Sequence, residues 1–370
     1  MDNDLFLNNI GTMFEPTGYA KANRHIVSEW IQQGVRIRYT PIHHEDVRVP
    51  LSMQQESLLN SLVHTPLPDR YLTFFHYPAA YFTKSDPSYC IGMTMFECSR
   101  LPFTWSKRCN LMDEIWVPSE FNRLTFIKSG VAPYKIRVMP YGVDTQMFHA
   151  ELAPLSIPGQ RRYTFLSVCS FDERKGIDTL VSAFLEEFAS LEDVCLIIKT
   201  RASSVEEIAR QQVYIDNIAM KSGHRDRSSV ILLSSIGSWT EEQLAALYQS
   251  ANCYVLPTRG EGWNLTVMEA MATGLPVITT NWSAHLDFLN DTNGYLIAVQ
   301  GFVALNSSNP RLLWAVPSKN HLKQLMRHVY THPNEASIKA RLGAQVVTER
   351  YTWKHSAARM LQRLHEISRR

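Results

Sequence analysis

The chain contains no run approaching the ~18 consecutive apolar residues that would carry a helix across a bilayer. Its opening stretch, MDNDLFLNNI, is acidic and has no basic segment ahead of an apolar core, so no secretory leader is expected and the chain reads as cytoplasmic. A lopsided charge is missing as well. The 37 Lys and Arg stand against 35 Asp and Glu, for a formal charge of +2. That leaves nothing like the basic face that grips a nucleic-acid backbone, and no nucleic-acid partner is expected. Cysteine is sparse and irregularly spaced: Cys90, Cys98, Cys109, Cys169, Cys195 and Cys253. The last three sit inside apolar runs, so the set reads as reduced core thiols rather than staples. No Gly-x-Gly-x-x-Gly follows an early strand, which argues against a nicotinamide dehydrogenase. Metal motifs are also wanting. The Asp2-Asn3-Asp4 triplet lies at the extreme terminus outside any strand, and His43-His44 lacks partners at ligand spacing. Neither a metal nor any other cofactor is therefore expected.

What remains is the composition of a folded protein with large cores, 45% hydrophobic and 19% charged over 370 residues. At roughly 150 residues per domain this suits two domains. From Tyr163 onward YTFLSVCS, VCLIIKT, SVILLSS, CYVLP, PVITT and YLIAV read as buried strands, rich in Val, Ile, Leu and Tyr and bounded by turn residues. Helical patterns alternate with them: Ile177, Leu180, Val181, Phe184 and Phe188 share one stripe, and Ser203 with Glu206 and Thr240 with Gln243 read as capping boxes. The N-terminal half repeats the theme with YLTFFHYPAAY, YCIGMTMFE, DEIWVPS and KIRVMP as strands. A helix is expected from about Tyr19 to Gln33 with Gly34 as its terminator, and another over Glu120 to Ser129. Strand and helix in alternation imply parallel sheets covered on both faces, so the expected fold is α/β, two Rossmann-like doubly wound domains facing a cleft. The boundaries expected are 1–150 and 160–350, with HAELAPLSIPGQ (149–160) as linker. A final helix over 351–370, striped by Ala357, Leu361, Leu364 and Ile367, is expected to return toward the N-terminal domain.

In such sheets ligands bind beyond the carboxyl ends of the strands, where helix N-termini present free amides. Strand CYVLP runs into TRGEGWN and then a helix starting near Leu265. Gly260 and Gly262 would let the backbone approach a ligand, and the amides around Asn264, Leu265 and Thr266 form an anion site. That predicts a phosphate. Glu261 and Glu269 flank it, and carboxylates beside a phosphate are tolerable when each accepts hydrogen bonds from hydroxyls, as a ribose and a hexose would supply. The loop SFDERKG, opened by Ser170, offers Arg174 and Lys175 to steady a departing diphosphate. Trp263 sits inside the same loop, where it could close over a sugar. Aromatic residues crowd the N-terminal half, with Phe74, Phe75, Tyr77, Tyr81, Phe82, Phe96 and Trp105 read mainly as core and in part as a platform for sugar rings.

The run GEGWNLTVMEAMATGLPVI, with seven residues between Glu261 and Glu269, resembles the signature of the retaining glycosyltransferases of family four, which have the two-Rossmann GT-B fold. SFDERKG is similar to their basic donor loop, and WVPSEFNRLTFIKSGV with KIRVMPYGVDTQMF to the segment leading to their interdomain hinge. Together these cover most of the chain from Tyr89 to Ile297. The resemblance implies a nucleotide-sugar donor, UDP- or GDP-linked, whose diphosphate Arg174 and Lys175 would hold. Glu261 would meet hydroxyls of the transferred sugar, Glu269 the ribose, and Gly18, with Thr17 and Tyr19 in the first loop, would face the donor across the cleft. It further implies transfer with retention, without a metal, to a glycan, lipid or small-molecule acceptor bound by the N-terminal domain. One departure stands out. Where many relatives carry a His-Asp or His-Glu pair, this chain reads Met95-Phe96-Glu97. Glu97, at the expected end of a strand, and His76 in FFHYP are the acceptor-binding candidates, with Glu97 preferred for deprotonating a hydroxyl. A catalytically silent GT-B subunit supporting a partner is the competing reading, disfavoured by the intact set Arg174, Lys175, Glu261 and Glu269. Monomer and homodimer both fit, and docking at the inner face of a membrane without a spanning helix stays open.

Overall fold

The computed structural model describes residues 5–42, 47–84, 88–188, 193–224, 227–305 and 309–369. The Asp2-Asn3-Asp4 triplet and the His43-His44 pair lie outside them. The chain divides into two compact units, the first comprising Met1–Gly142 and Arg350–Arg370, the second Val143–Glu349.

The first unit is built on a six-stranded sheet of β1 (Phe6–Gly11), β2 (Arg36–Pro41), β3 (Leu72–His76), β4 (Tyr89–Met93), β5 (Glu114–Val117) and β6 (Ile136–Val138), in the order β2-β1-β3-β4-β5-β6. All its pairings are parallel. Phe74, Ile91, Ile115 and Trp116 are buried at its centre, as a sheet covered on both faces requires. The first helix runs from Gly18 to Gln32, capped by Thr17, whose hydroxyl accepts from the Ala20 amide at 3.2 Å, and Gly34 follows its end at φ +82°. The C-terminal helix Trp353–Ser368 packs on it and buries Ala357, Leu361, Leu364 and Ile367. Trp30 Nε1 donates to the Ala357 carbonyl at 3.1 Å, and Arg363 pairs with the buried Glu114. Two strands expected from the sequence are shorter than their apolar runs. YLTFFHYPAAY ends as strand at His76 and YCIGMTMFE at Met93, so Glu97 stands four residues past a strand end rather than on one.

The second unit holds a parallel sheet of β7 (Tyr163–Val168), β8 (Val194–Ala202), β9 (Val230–Ile236), β10 (Cys253–Leu256), β11 (Val277–Thr280) and β12 (Tyr295–Ile297), in the order β12-β11-β10-β7-β8-β9. All six apolar runs read as strands from Tyr163 onward are strands. An antiparallel pair, β13 (Val299–Ala304) and β14 (Leu313–Pro317), follows. Thr240 and Gln243 form the expected capping box, whereas the helix Val205–Lys221 starts one residue later than expected. Its cap is Ser204, whose hydroxyl accepts from the Glu207 amide, while the Ser203 amide and hydroxyl both donate to the Glu207 carboxylate. The stretch 149–160 is not a free linker: Leu155 N donates to the Ala246 carbonyl and the Ser250 hydroxyl, and Gln160 Nε2 to the Ser250 carbonyl, all within the second unit. Its prolines and glycine mark irregular backbone, and the passage between units falls earlier, at Gly142 and Val143.

Candidate active site

Because β7 and β10 are neighbours in a parallel sheet, the turns that leave their carboxyl ends lie side by side. From β7 the chain passes through Ser170 into a single 3-10 turn, Glu173–Lys175, and then the helix Ile177–Glu187. Gly176 joins the two at φ +69°, and a Cβ there would stand 2.2 Å from the Pro257 carbonyl oxygen. Only glycine permits both that backbone and that approach. From β10 the chain runs through Thr258, Arg259, Gly260, Glu261, Gly262 and Trp263 to the helix Leu265–Ala272.

The two turns are stitched together. Arg259 N donates to the Arg174 carbonyl at 2.6 Å, and the Arg174 guanidinium to the Gly260 carbonyl at 2.8 Å. Arg259 in turn is tied to Glu173 at 3.2 Å and Asp178 at 2.6 Å. At the centre lies Glu261, 5% exposed, whose carboxylate takes Lys175 Nζ at 2.7 Å, Arg174 Nη1 at 3.1 Å and the Thr258 hydroxyl at 2.7 Å. Burial by itself would raise the pKa of this carboxyl. The Lys175 and Arg174 charges and the Lys175 and Thr258 hydrogen bonds outweigh it and hold the group at about 2, so Glu261 is ionised. Arg174 and Lys175 thus place two cations beside a helix N-terminus, an arrangement suited to an anion.

The cap of that helix is Asn264, at φ +87° and ψ +66°. The left-handed backbone of the loop thus falls at Asn264 and not at Gly260 or Gly262. Its Oδ1 accepts from the Val267 amide, while its Nδ2 is buried with no acceptor among the described residues. Such a donor is costly to leave unmet, and a ligand oxygen would satisfy it. Leu265 and Thr266 begin the helix, and Thr266 Oγ1 takes the Tyr254 hydroxyl at 2.8 Å. One turn on, Glu269 is buried and not an exposed helix residue: its Oε2 accepts from the Tyr248 hydroxyl at 2.9 Å.

Several expectations change on contact with this geometry. Trp263 is 1% exposed and packs on Phe288, with ring centroids 5.0 Å apart, so its ring is part of the loop's packing rather than an open face. Ser170 is exposed and turned toward Asp172. Gly18, His76 and Glu97 belong to the first unit. Gly18 is the exposed first residue of its helix, and Glu97 is partly exposed in the loop after β4. His76 is fully buried, with Nδ1 at 3.1 Å from Asn23 Oδ1 and Nε2 at 2.6 Å from the Tyr141 hydroxyl. Asn23 Oδ1 can only accept, so Nδ1 carries the proton and Nε2 receives the tyrosine's. Burial depresses the imidazole pKa to about 3, and the neutral ring has both nitrogens occupied, which makes it a structural link rather than a binder of acceptor. Residues that sequence reasoning passed over include Thr258, Tyr248, Arg259 and Ser283. Their single-letter context is ordinary, and only Thr258 and Arg259, inside the TRGEG loop, carried a positional hint. Among the described residues no group of three or more His, Cys, Asp or Glu is placed to hold a metal, and no helix is long and apolar enough to cross a membrane.

The paired sheets define the class of fold. Two parallel-sheet, Rossmann-like α/β units are the GT-B arrangement, and HepE of Anabaena, solved in complex with UDP and glucose, superposes with a TM-score of 0.73 over 98% of this chain and 100% of that one at 11% identity. Sucrose-phosphate synthase of Thermosynechococcus elongatus gives 0.70 over 98% and 99% at 16% identity. Residues 162–307, which contain the whole cluster described above, match the family described as glycosyl transferases group 1. Among curated proteins, the chain is 24% identical over 52% of its length to 54% of the lipopolysaccharide core biosynthesis mannosyltransferase LpcC of Rhizobium leguminosarum bv. viciae. It is 23% identical over 64% of its length to 54% of the GDP-mannose:cellobiosyl-diphosphopolyprenol alpha-mannosyltransferase of Xanthomonas oryzae pv. oryzae. The matches thus span about half the length of these curated relatives.

Proposed function

We propose that this protein is a glycosyltransferase of the retaining, family-four kind, which moves a hexose from a UDP- or GDP-linked donor to an acceptor hydroxyl. The observation that carries the reading is the Lys175–Glu261–Arg174 cluster, centred on the buried Glu261, just before the N-terminus of the helix Leu265–Ala272. In this account the Arg174 and Lys175 cations, the helix amides and the unspent Asn264 Nδ2 receive the diphosphate. As the bond to the sugar breaks, negative charge grows on the departing phosphate oxygen, and fixed cations at that point stabilise it without a divalent ion. Glu269, oriented by Tyr248, takes ribose hydroxyls, and Glu261 meets hydroxyls of the sugar. Both Glu261 oxygens are already held by cations and Thr258, a poor state for a covalent nucleophile. This supports attack on the face from which the diphosphate leaves. Glu97 is assigned to the acceptor, whether glycan, lipid or small molecule, and work at the inner membrane face as a peripheral protein is compatible with this role. The match to mannosyltransferases makes GDP-mannose the first donor to try and the HepE complex makes UDP-glucose the second.

The test is a thermal-shift and turnover experiment with UDP, GDP, UDP-glucose and GDP-mannose, with and without EDTA. One nucleotide should raise the unfolding midpoint, as a ligand of the folded state must. Its sugar should be turned over at the same rate in EDTA, and Lys175→Ala should slow turnover by about a hundredfold or more. Turnover that depends wholly on added metal, or a Lys175→Ala variant as active as wild type, would sink the assignment.

A further inference from the structure

Among the described residues, two that are not glycine adopt positive φ: Asn264 at +87° and Ser283 at +86°. Asn264 follows Glu261 by three residues along the chain, and Ser283 meets its backbone from the next strand's turn. Asn264 has a local reason, since asparagine tolerates the left-handed region and its side chain caps its own helix. Ser283 has none of that kind. With ψ at −162° it lies in the corner of the map that is essentially reserved for glycine, and it is 3% exposed. Strain of this sort persists where the surroundings over-determine it, and here they do. Trp282 N donates to the Thr280 carbonyl at 2.8 Å and Leu286 N to the Ser283 carbonyl at 3.2 Å. The fully buried His285 pins the turn from below, its Nε2 donating to the Thr280 carbonyl at 2.6 Å.

The strained conformation delivers the Ser283 hydroxyl to the Glu261 amide, which donates to it at 3.0 Å, while Ala284 N donates to the Glu261 carbonyl at 3.4 Å. Lys175, Arg174 and Thr258 fix the carboxylate, and Ser283 and Ala284 fix the backbone beneath it. We propose that Ser283 is a positioning residue for Glu261, its glycine-like backbone retained under strain because a hydroxyl is needed at that point to set the depth and orientation of the carboxylate. This rests on the functional reading above, in which Glu261 meets the transferred sugar. A glycine would hold the same backbone without strain but could not take the amide proton. An alanine would keep the strain and also lack the hydroxyl.

That contrast separates the two claims. Ser283→Gly and Ser283→Ala are compared with wild type for release of GDP from GDP-mannose and of UDP from UDP-glucose, for affinity toward GDP and UDP, and for unfolding midpoint. Both variants should lose roughly tenfold to a hundredfold in kcat, equally, while nucleoside diphosphate affinity and donor KM stay within about twofold. A structural role alone would not give that split. Stability should run the other way: Ser283→Gly should melt above Ser283→Ala, the reverse of the usual ranking, because only glycine relieves the backbone. Wild-type kcat in both variants, with wild type active, overturns the positioning role by itself. Ser283→Ala melting at or above Ser283→Gly overturns the strain. A wild-type protein that binds neither nucleotide and turns over neither donor removes the functional reading, and the role of Ser283 with it.

Discussion

Replacing Glu261 by glutamine should destabilise the second unit by about 3 kcal/mol at neutral pH, and the penalty should fade as the solution is acidified. The carboxyl has an ordinary value of 4.5 and is held at about 2 in the fold. At about 1.4 kcal/mol per pH unit, that interval is worth about 3 kcal/mol of folding free energy. Glu261 is 5% exposed, so solvent screens little of it. A second route gives the same scale: removing one partner of a buried ion pair costs about 3–5 kcal/mol, because the charges left behind are uncompensated. A folded-state value below the unfolded one means that the stabilisation is fully present above pH 4.5 and is lost as the pH falls toward about 2. By about pH 3 less than half should remain. For a unit of this size each kcal/mol moves the midpoint by roughly 2–4 °C, so the variant should melt about 6–12 °C below wild type at pH 7. The assay is scanning calorimetry of both proteins from pH 7 to pH 3, following the transition that a bound nucleoside diphosphate raises. A gap that stays constant across that range would refute the account, as would a gap under about 1 kcal/mol at pH 7.

Further outcomes test the same physics elsewhere. His76 is held neutral with a pKa near 3 against an ordinary 6.5, so its contribution to the first unit is complete above pH 6.5 and drains away as the pH falls toward 3. Urea unfolding between pH 7 and 5 should show wild type losing up to about 1.4 kcal/mol per pH unit more than His76→Gln, and parallel profiles would count against a buried neutral ring. Gly176→Ala should cost about 2–4 kcal/mol and abolish the nucleotide-induced shift, since its Cβ would meet the Pro257 carbonyl at 2.2 Å. Gly223→Ala is the control: its φ is +81° with nothing within 4 Å, so it should cost only about 1 kcal/mol. Equal effects at the two glycines would show that the packing of the basic turn on Pro257 is unimportant.

Much of the second unit is legible in the sequence. The six apolar runs from Tyr163 to Val299 are strands, Thr240 caps as expected, and the helix after GEGWN begins at Leu265. These features depend on local patterns, apolar continuity and capping chemistry, which a sequence displays directly. Strands that break those patterns do not show in the sequence. β1 carries Asn8 and Asn9 in its middle, where Asn9 bonds Asn23, and the edge strand β2 alternates Arg36, Ile37, Arg38 and Tyr39. The pair β13 and β14 was overlooked too, since Val299–Ala304 points mainly exposed residues outward.

The candidate site divides the same way. Residue types and their spacing along GEGWNLTVME and SFDERKG pointed to an anion flanked by carboxylates. That Glu261 spends its carboxylate on Lys175 and Arg174, 86 and 87 positions earlier, follows only from the sheet order, which inserts β10 next to β7 and brings their carboxyl-end turns together. Trp263 and His76 are sound candidates by type, yet packing buries one against Phe288 and encloses the other in a hydrogen-bond network. Ser283 could not have been found in the sequence at all, because its role lies in a backbone angle imposed by its neighbours. Periodicity records whether a residue is buried and which local conformation it prefers, and so it determined the class of fold and the chemistry on offer. Which distant turns meet, and which polar groups they leave unspent, is set by strand order and close packing, and only the tertiary structure decided it.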